Sequence, residues 1–300
     1  MSRRVIALLF ASYASLLPCK VAAQDVTPPP ASMHATGLVG GVFHFAGNVG
    51  GDFASQATYP FRLARNHPFG FAAGVAGLVG LMSYDGEVRE SVASPQFARD
   101  HGLEAPAQFI SDAAGPSRMI PIVAGFGVLG MVGSPRERAT SSMLAEALIT
   151  SSVWTGALKE LTRRERPRET LEEFSDFNGP GALFYDEGGV PAGLRSFPSG
   201  HTSGAWAMAT VIAHQYPSHG IVPLLAYGTA TAMGYSRMVV GAHWLSDVVA
   251  GGLIGFGCAR QVISAHETRA LAADQVDRGG WHLYLESDRD VHGAGLAFQF

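Results

Sequence analysis

An all-α helical bundle is the fold this sequence predicts, and three observations predict it. Apolar runs of helix length occupy 70–83 (GFAAGVAGLVGLMS) and 119–133 (MIPIVAGFGVLGMVG). A stretch from about 138 to 165 opens on Ser/Thr and Glu and carries no glycine except Gly156. Further helical stretches follow at 201–215, 220–236 and 243–265, with Ser, Thr or His inside the apolar runs. The chain of 300 residues is 47% hydrophobic and only 15% charged, with 37 glycines, so its helices have to pack closely or lie against lipid. That charge content is well under the share of about 25% usual in soluble domains.

The chain opens with Arg3 and Arg4, the apolar stretch VIALLFASYASLL and the small residues Val21, Ala22 and Ala23. This order predicts a secretory signal peptide over 1–23, hence an exported, periplasmic protein starting at Gln24; an uncleaved anchor is the competing reading. Cys19 leaves with that peptide, so no disulfide forms within the mature chain, and Cys258 reads as an inert buried thiol. Residues 24–34 (QDVTPPPASMH) are a Pro-rich extended leader. Residues 35–65 are punctuated by glycine and predict no clear element. Two short polar helices are expected over 94–114, separated near Gly102.

The 138–165 helix should end at Arg166-Pro167, because a residue before proline is pushed out of helical backbone. Residues 168–197 then change character, with Glu172, Glu173, Asp176, Asp186, Glu187, Pro180, Pro191 and a Gly-Gly pair. Loops of that length in a compact domain are functional or disordered. Only 245–263 approaches the roughly 20 residues that span a bilayer. The pattern favours a compact bundle over a polytopic membrane protein, and membrane association stays open. One helical domain is expected over 35–280. The tail 281–300 alternates apolar and polar residues around Ser287–Asp290, which predicts a short β-hairpin packed on the bundle.

Net charge is −4, which argues against a nucleic-acid partner. The cations are concentrated locally, in KELTRRERPR at 159–168. The bland reading of that run is a solvated helix end. Lys159 and Arg166, however, stand seven residues apart, about two helical turns, so on a continuous helix both lie near one face and can grip a phosphate. Pro198-Ser199-Gly200-His201 precedes an apolar helix. Helix N-termini offer free N–H groups to anions, Ser199 is a candidate N-cap, Gly200 permits close backbone approach, and His201 could donate a proton. A Ser-Gly turn before a helix is commonplace by itself. In the third segment His243 and Asp247 are four apart, hence neighbours on a helical face, with Arg237 upstream as a rigid anion fork. Alone, His243 would read as a core histidine.

Together the segments spell KxxxxxxRP, PSGH and SRxxxxxHxxxD in order, and over about 140–262 the chain resembles the type 2 phosphatidic acid phosphatase and vanadium haloperoxidase superfamily. The resemblance implies an all-α fold of that type and a metal-independent phosphatase. It also implies that His243 attacks phosphorus, Asp247 orients His243, and His201 serves the leaving oxygen. Lys159, Arg166, Ser199, Gly200 and Arg237 would hold the phosphoryl oxygens. No cofactor and no metal site is expected. The substrate is a phosphate ester, small or lipid-borne, and the oligomeric state is open. Two alternatives carry the same motifs: a vanadium-dependent haloperoxidase and an integral membrane phosphatase specific for lipid phosphates.

Overall fold

Proline sets the helix starts in the computed structural model, which describes residues 38–113, 115–133, 135–168, 176–179, 194–217, 220–277, 282–288 and 291–297. The signal-peptide and leader expectations, and most of the 168–197 loop, fall outside these residues. Pro68, Pro95, Pro116 and Pro135 each open a helix, where a missing N–H costs nothing. After the first long helix α1 (Leu38–Asn66) come α2 (Pro68–Met82) and a single turn α3 (Asp85–Val88) that widens into a π-helical turn (Arg89–Ala93). The short helices α4 (Pro95–Asp100) and α5 (Glu104–Ala113) follow, reversed at Gly102, whose φ of 63° suits glycine. The bundle proper is α6 (Pro116–Met131), α7 (Pro135–Thr162), α8 (Gly200–Gln215), α9 (Ile221–Val239) and α10 (Leu245–Asp277). Strands β1 (His282–Asp288) and β2 (Val291–Ala297) pair antiparallel, His282 opposite Ala297.

Two of these elements differ from expectation. Leu38–Asn66, within and just beyond the glycine-punctuated stretch that predicted no clear element, form helix α1 because tertiary contacts outweigh propensity. Gln56 accepts from Trp154 Nε1 at 2.9 Å and donates to Thr150 Oγ1 at 3.2 Å, which fastens α1 to α7. Helix α7 ends at Thr162, not at 165. Arg163 takes φ 43° and its N–H turns back to the Lys159 carbonyl at 3.0 Å.

Helix α8 lies between α7, α9 and α10 and is the axis of the core. Leu144, Ala147, Ala207, Val211, Ala259 and Val262 meet there fully buried. Small residues bring α10 very near α8. A Cβ on Gly251 would collide with the Ser199 carbonyl, and one on Gly255 with the Ser203 carbonyl. Buried Glu146 of α7 takes hydrogen bonds from Ser142 at 2.8 Å and Arg269 at 3.3 Å, and lies 2.8 Å from His266 Nε2, tying α7 to α10.

The outside of the bundle is apolar on several helices. No residue of α2 is buried, and Phe69 is 90% exposed. Phe43 and Phe61 of α1, Ile120, Leu129 and Met131 of α6, and Leu224 and Leu225 of α9 are exposed as well. Monomers in water rarely show contiguous apolar patches beyond a few hundred Å². Helix α10 is long and apolar enough to cross a membrane, judged by length and composition among the described residues.

Candidate active site

Helix ends meet at one pole of the bundle. Lys159 is in the last turn of α7, Ser199–His201 open α8, Arg237 is in the last turn of α9, and Asp247 is in the first turn of α10. His243 lies in the Val240–Trp244 link. All eight residues singled out in the sequence belong to this pole.

Two of the geometric reasons expected from the sequence are corrected. Lys159 and Arg166 do not share a helical face, because α7 stops between them. Arg166 instead belongs to a non-helical strip, 163–168, held on both sides. Arg164 bridges to Phe177, its carbonyl accepts from Ser196 N at 2.9 Å, and Arg168 N donates to Gly241 O at 3.1 Å. Nor do His243 and Asp247 share a helical face, since α10 begins at Leu245. Trp244 is the residue before the helix and Asp247 its third position. The Asp247 carboxylate reaches back to Trp244 N at 2.9 Å, the acidic half of a capping box. That cap, with the turn at Gly241 (φ 66°), places His243 Nδ1 3.7 Å from Asp247 Oδ2.

Ser199 caps α8, its Oγ accepting from Thr202 N at 3.4 Å and sharing a hydrogen with Thr202 Oγ1 at 2.8 Å. Its N–H donates to the Asp247 carbonyl at 2.9 Å, which locks α8 to α10. Lys159 Nζ donates to the carbonyls of Arg195 at 2.7 Å and Ser196 at 3.3 Å. Arg237 holds Ser111 Oγ at the end of α5. Gly115, at the α5–α6 junction, borders His201 Nε2.

The electrostatics of this pole are those of a site built for an anion. Burial pushes the Lys159 ammonium down to about 7, against the pull of Asp247, and the Arg166, Arg195 and Arg237 charges act in the same direction as burial. His201 falls to about 4 through burial and the charges of Arg237, Lys159 and Arg166. His243 falls to about 3, chiefly through burial, so its imidazole is neutral at physiological pH. Its Nδ1 is buried without a hydrogen-bond partner. Burial pushes Asp247 up, but His243 and the Arg164 guanidinium hold it below the usual carboxylate range. Three cations around two neutral imidazoles can bind a tetrahedral oxyanion with charge-assisted hydrogen bonds.

A second layer was not read from the sequence. Arg164 is buried and donates to Asp247 Oδ1 at 2.8 Å, Ser246 Oγ at 2.7 Å and Asp85 Oδ2 at 2.7 Å. Asp85 also accepts from Ser246 N at 2.9 Å and Ser246 Oγ at 2.6 Å, while Ser196 Oγ donates to Asp247 Oδ2 at 2.5 Å. The Arg164 guanidinium sits 4.9 Å from the Phe177 ring and 5.4 Å from Trp244. The only sequence signal for Asp85 is that it is the first charge after the apolar run 70–83. Among the described residues no group of three His, Cys, Asp or Glu side chains is placed to hold a metal ion.

Residues 141–270 match the family model of the PAP2 superfamily. A lipid A 1-phosphatase of Rhizobium etli is 30% identical over 134 residues, 45% of this chain and 54% of the relative. An acid phosphatase of Zymomonas mobilis is 34% identical over 117 residues, 39% of this chain and 40% of the relative. The chain thus spans about half the length of the curated relatives it matches. Among solved structures, the first transmembrane PAP2 type phosphatidylglycerolphosphate phosphatase from Bacillus subtilis aligns at 19% identity with a TM-score of 0.47, over 66% of this chain and 96% of that one.

Proposed function

We propose, from the premise that residues 141–270 of this chain belong to the PAP2 superfamily, that it is a phosphatase cleaving phosphate monoesters through a phosphohistidine on His243. The observation that carries this reading is the convergence of Lys159, Arg166 and Arg237 on two buried, neutral imidazoles at one pole of the bundle. Phosphoryl transfer asks chiefly for positioning and charge stabilisation, and three cations supply both. The neutral His243 ring offers Nε2 as a lone pair once Nδ1 carries the proton. The 3.7 Å gap to Asp247 closes to a hydrogen bond when substrate tightens the site. Nε2 bonds to phosphorus, the ester P–O bond breaks, and His201 gives its proton to the leaving oxygen. The substrate's negative charge offsets the three cations and restores that proton to His201. Water then attacks the phosphohistidine, His201 takes its proton, and phosphate leaves.

The exposed apolar faces of α1, α2, α6 and α9 favour a substrate presented at a lipid surface, with the bundle seated against lipid and the charged pole at the water boundary. Export by a signal peptide over 1–23 is part of the same reading. The deciding experiment measures phosphate release from p-nitrophenyl phosphate and from phosphatidate in mixed micelles. Turnover of at least one, inhibited competitively by vanadate, is expected. No turnover of either, or non-competitive inhibition, rejects the site.

The alkaline side of the pH profile tests Lys159. Its ammonium loses a proton as pH rises through about 7, so the free site loses a phosphate-binding cation there. The value of kcat/KM should therefore fall above pH 7. Arginine stays charged throughout this range, so in Lys159→Arg the fall should move up by two pH units or more, about the gap left by arginine's far higher pKa. An unmoved limb would assign it to another group.

A further inference from the structure

The carboxylate that faces His243 is bound on its other side by a cation. Arg164 Nη1 donates to Asp247 Oδ1 at 2.8 Å, while Asp247 Oδ2 lies 3.7 Å from His243 Nδ1. By itself the Arg164–Asp247 pair is neutral, and a neutral pair does little for a ring that becomes cationic. In the proposed reaction the His243 ring does so, because Nδ1 keeps its proton while Nε2 bonds to phosphorus.

Asp85 changes the charge count. Its Oδ2 accepts from Arg164 Nη2 at 2.7 Å and Ser246 Oγ at 2.6 Å, and its Oδ1 accepts from Ser246 N at 2.9 Å. Three donors on two oxygens favour the carboxylate form. Burial pushes the Asp85 carboxyl above the usual range, and Arg164 and Ser246 pull against that rise. Two carboxylates on one guanidinium leave a single negative charge in excess. All three side chains are buried, so salt and water screen that charge weakly. Asp85 and His243 also border the same small cavity, beside Trp244 and Leu245. The fold holds Asp85 there through its own turn. Asp85 opens α3, and Val88, three residues on, packs with Met238, Leu245 and Val248 against the start of α10.

We infer that Asp85 is a positioning residue for the nucleophile: it neutralises Arg164, so that Asp247 presents an uncancelled negative charge to His243 as the Nε2–P bond forms. The inference rests on the phosphatase reading above. The effect is confined to states in which the ring is cationic. It speeds formation of the phosphohistidine, in which the ester P–O bond breaks and the leaving oxygen takes the His201 proton. It also holds that intermediate against hydrolysis, because the ring returns to neutral when water displaces it from phosphorus. Phosphate binding before the reaction falls to Lys159, Arg166 and Arg237 and does not draw on Asp85.

The test compares wild type with Asp85→Asn, and Asp85→Glu with Asp85→Gln, two pairs whose members differ in charge and hardly in size. The substrate is whichever of p-nitrophenyl phosphate and phosphatidate wild type turns over. Within each pair the amide should lower kcat/KM at least about tenfold, the factor that one pKa unit on the ring corresponds to. Inorganic phosphate should inhibit the amide no more weakly than its acid partner, and acid quenching should trap a smaller share of the enzyme as phosphohistidine. A structural lesion would instead weaken phosphate inhibition along with turnover. If Asp85→Asn does not fold, the Glu and Gln pair decides. If kcat/KM stays within about threefold in a folded pair, or falls together with phosphate inhibition, Asp85 has no such role. If wild type hydrolyses no phosphate ester, the phosphatase reading falls and this inference with it.

Discussion

Replacing His243 with alanine should lower phosphate release by at least about a thousandfold, since it removes the group proposed to attack phosphorus. The fold should survive the change. His243 is buried, yet its Nδ1 makes no hydrogen bond, and Asp247 is already satisfied by Ser196, Trp244 N and Arg164. Removing the ring therefore orphans no polar partner. Thermal unfolding of the variant should stay close to wild type while turnover vanishes. Acid-labile phosphate trapped on wild type and absent from the variant would complete the case. Turnover within tenfold of wild type would sink the phosphohistidine route.

The largest stability effect should come from Arg164→Leu. It would strand the Asp85 and Asp247 carboxylates, both buried, with no cation between them. Breaking a buried pair from one side typically costs about 3–5 kcal/mol, because the remaining charge is uncompensated. Adding Asp85→Asn to Arg164→Leu should recover part of the loss by removing one stranded charge. Melting temperatures of wild type and the two variants in one buffer read this directly. A double variant no more stable than Arg164→Leu alone would mean that Asp85 is not the partner that matters.

The contrast between these two predictions follows what the sequence made legible. His243, His201, Asp247 and the anion-binding residues stand in three short segments, where spacing alone brings chemistry together. The all-helical class was legible for a related reason, since apolar runs and proline punctuation are local. Asp85 was not, because it meets Ser246 across 161 residues, and nothing local to either announces a buried carboxylate. Arg164 was hidden differently: it sits in a run of cations that reads equally well as solvated. The register of Lys159 and Arg166 is not legible, because Pro167 marks where a helix must stop and nothing local marks an earlier stop. The break comes earlier, at Arg163, where the strip 163–168 exchanges helical hydrogen bonds for bonds to 176–179 and 196. Helix α1 escaped notice because its glycines hide a helix that contacts with α7 and α10 hold in place.

The glycines of α10 bear on how the site can open. A wall lined by side chains can yield by rotamer hopping, but at Gly251 and Gly255 the backbones of α8 and α10 stop against each other with nothing left to rotate. Ser199 N and the Asp247 carbonyl then rivet the same two helices at the pole. Those two helices make a fixed jaw that carries His201 and Asp247 together. Whatever gap a substrate needs has to be yielded by the opposite jaw, where α5 meets the site through the Ser111 hydroxyl on Arg237 and the glycine turn beside His201.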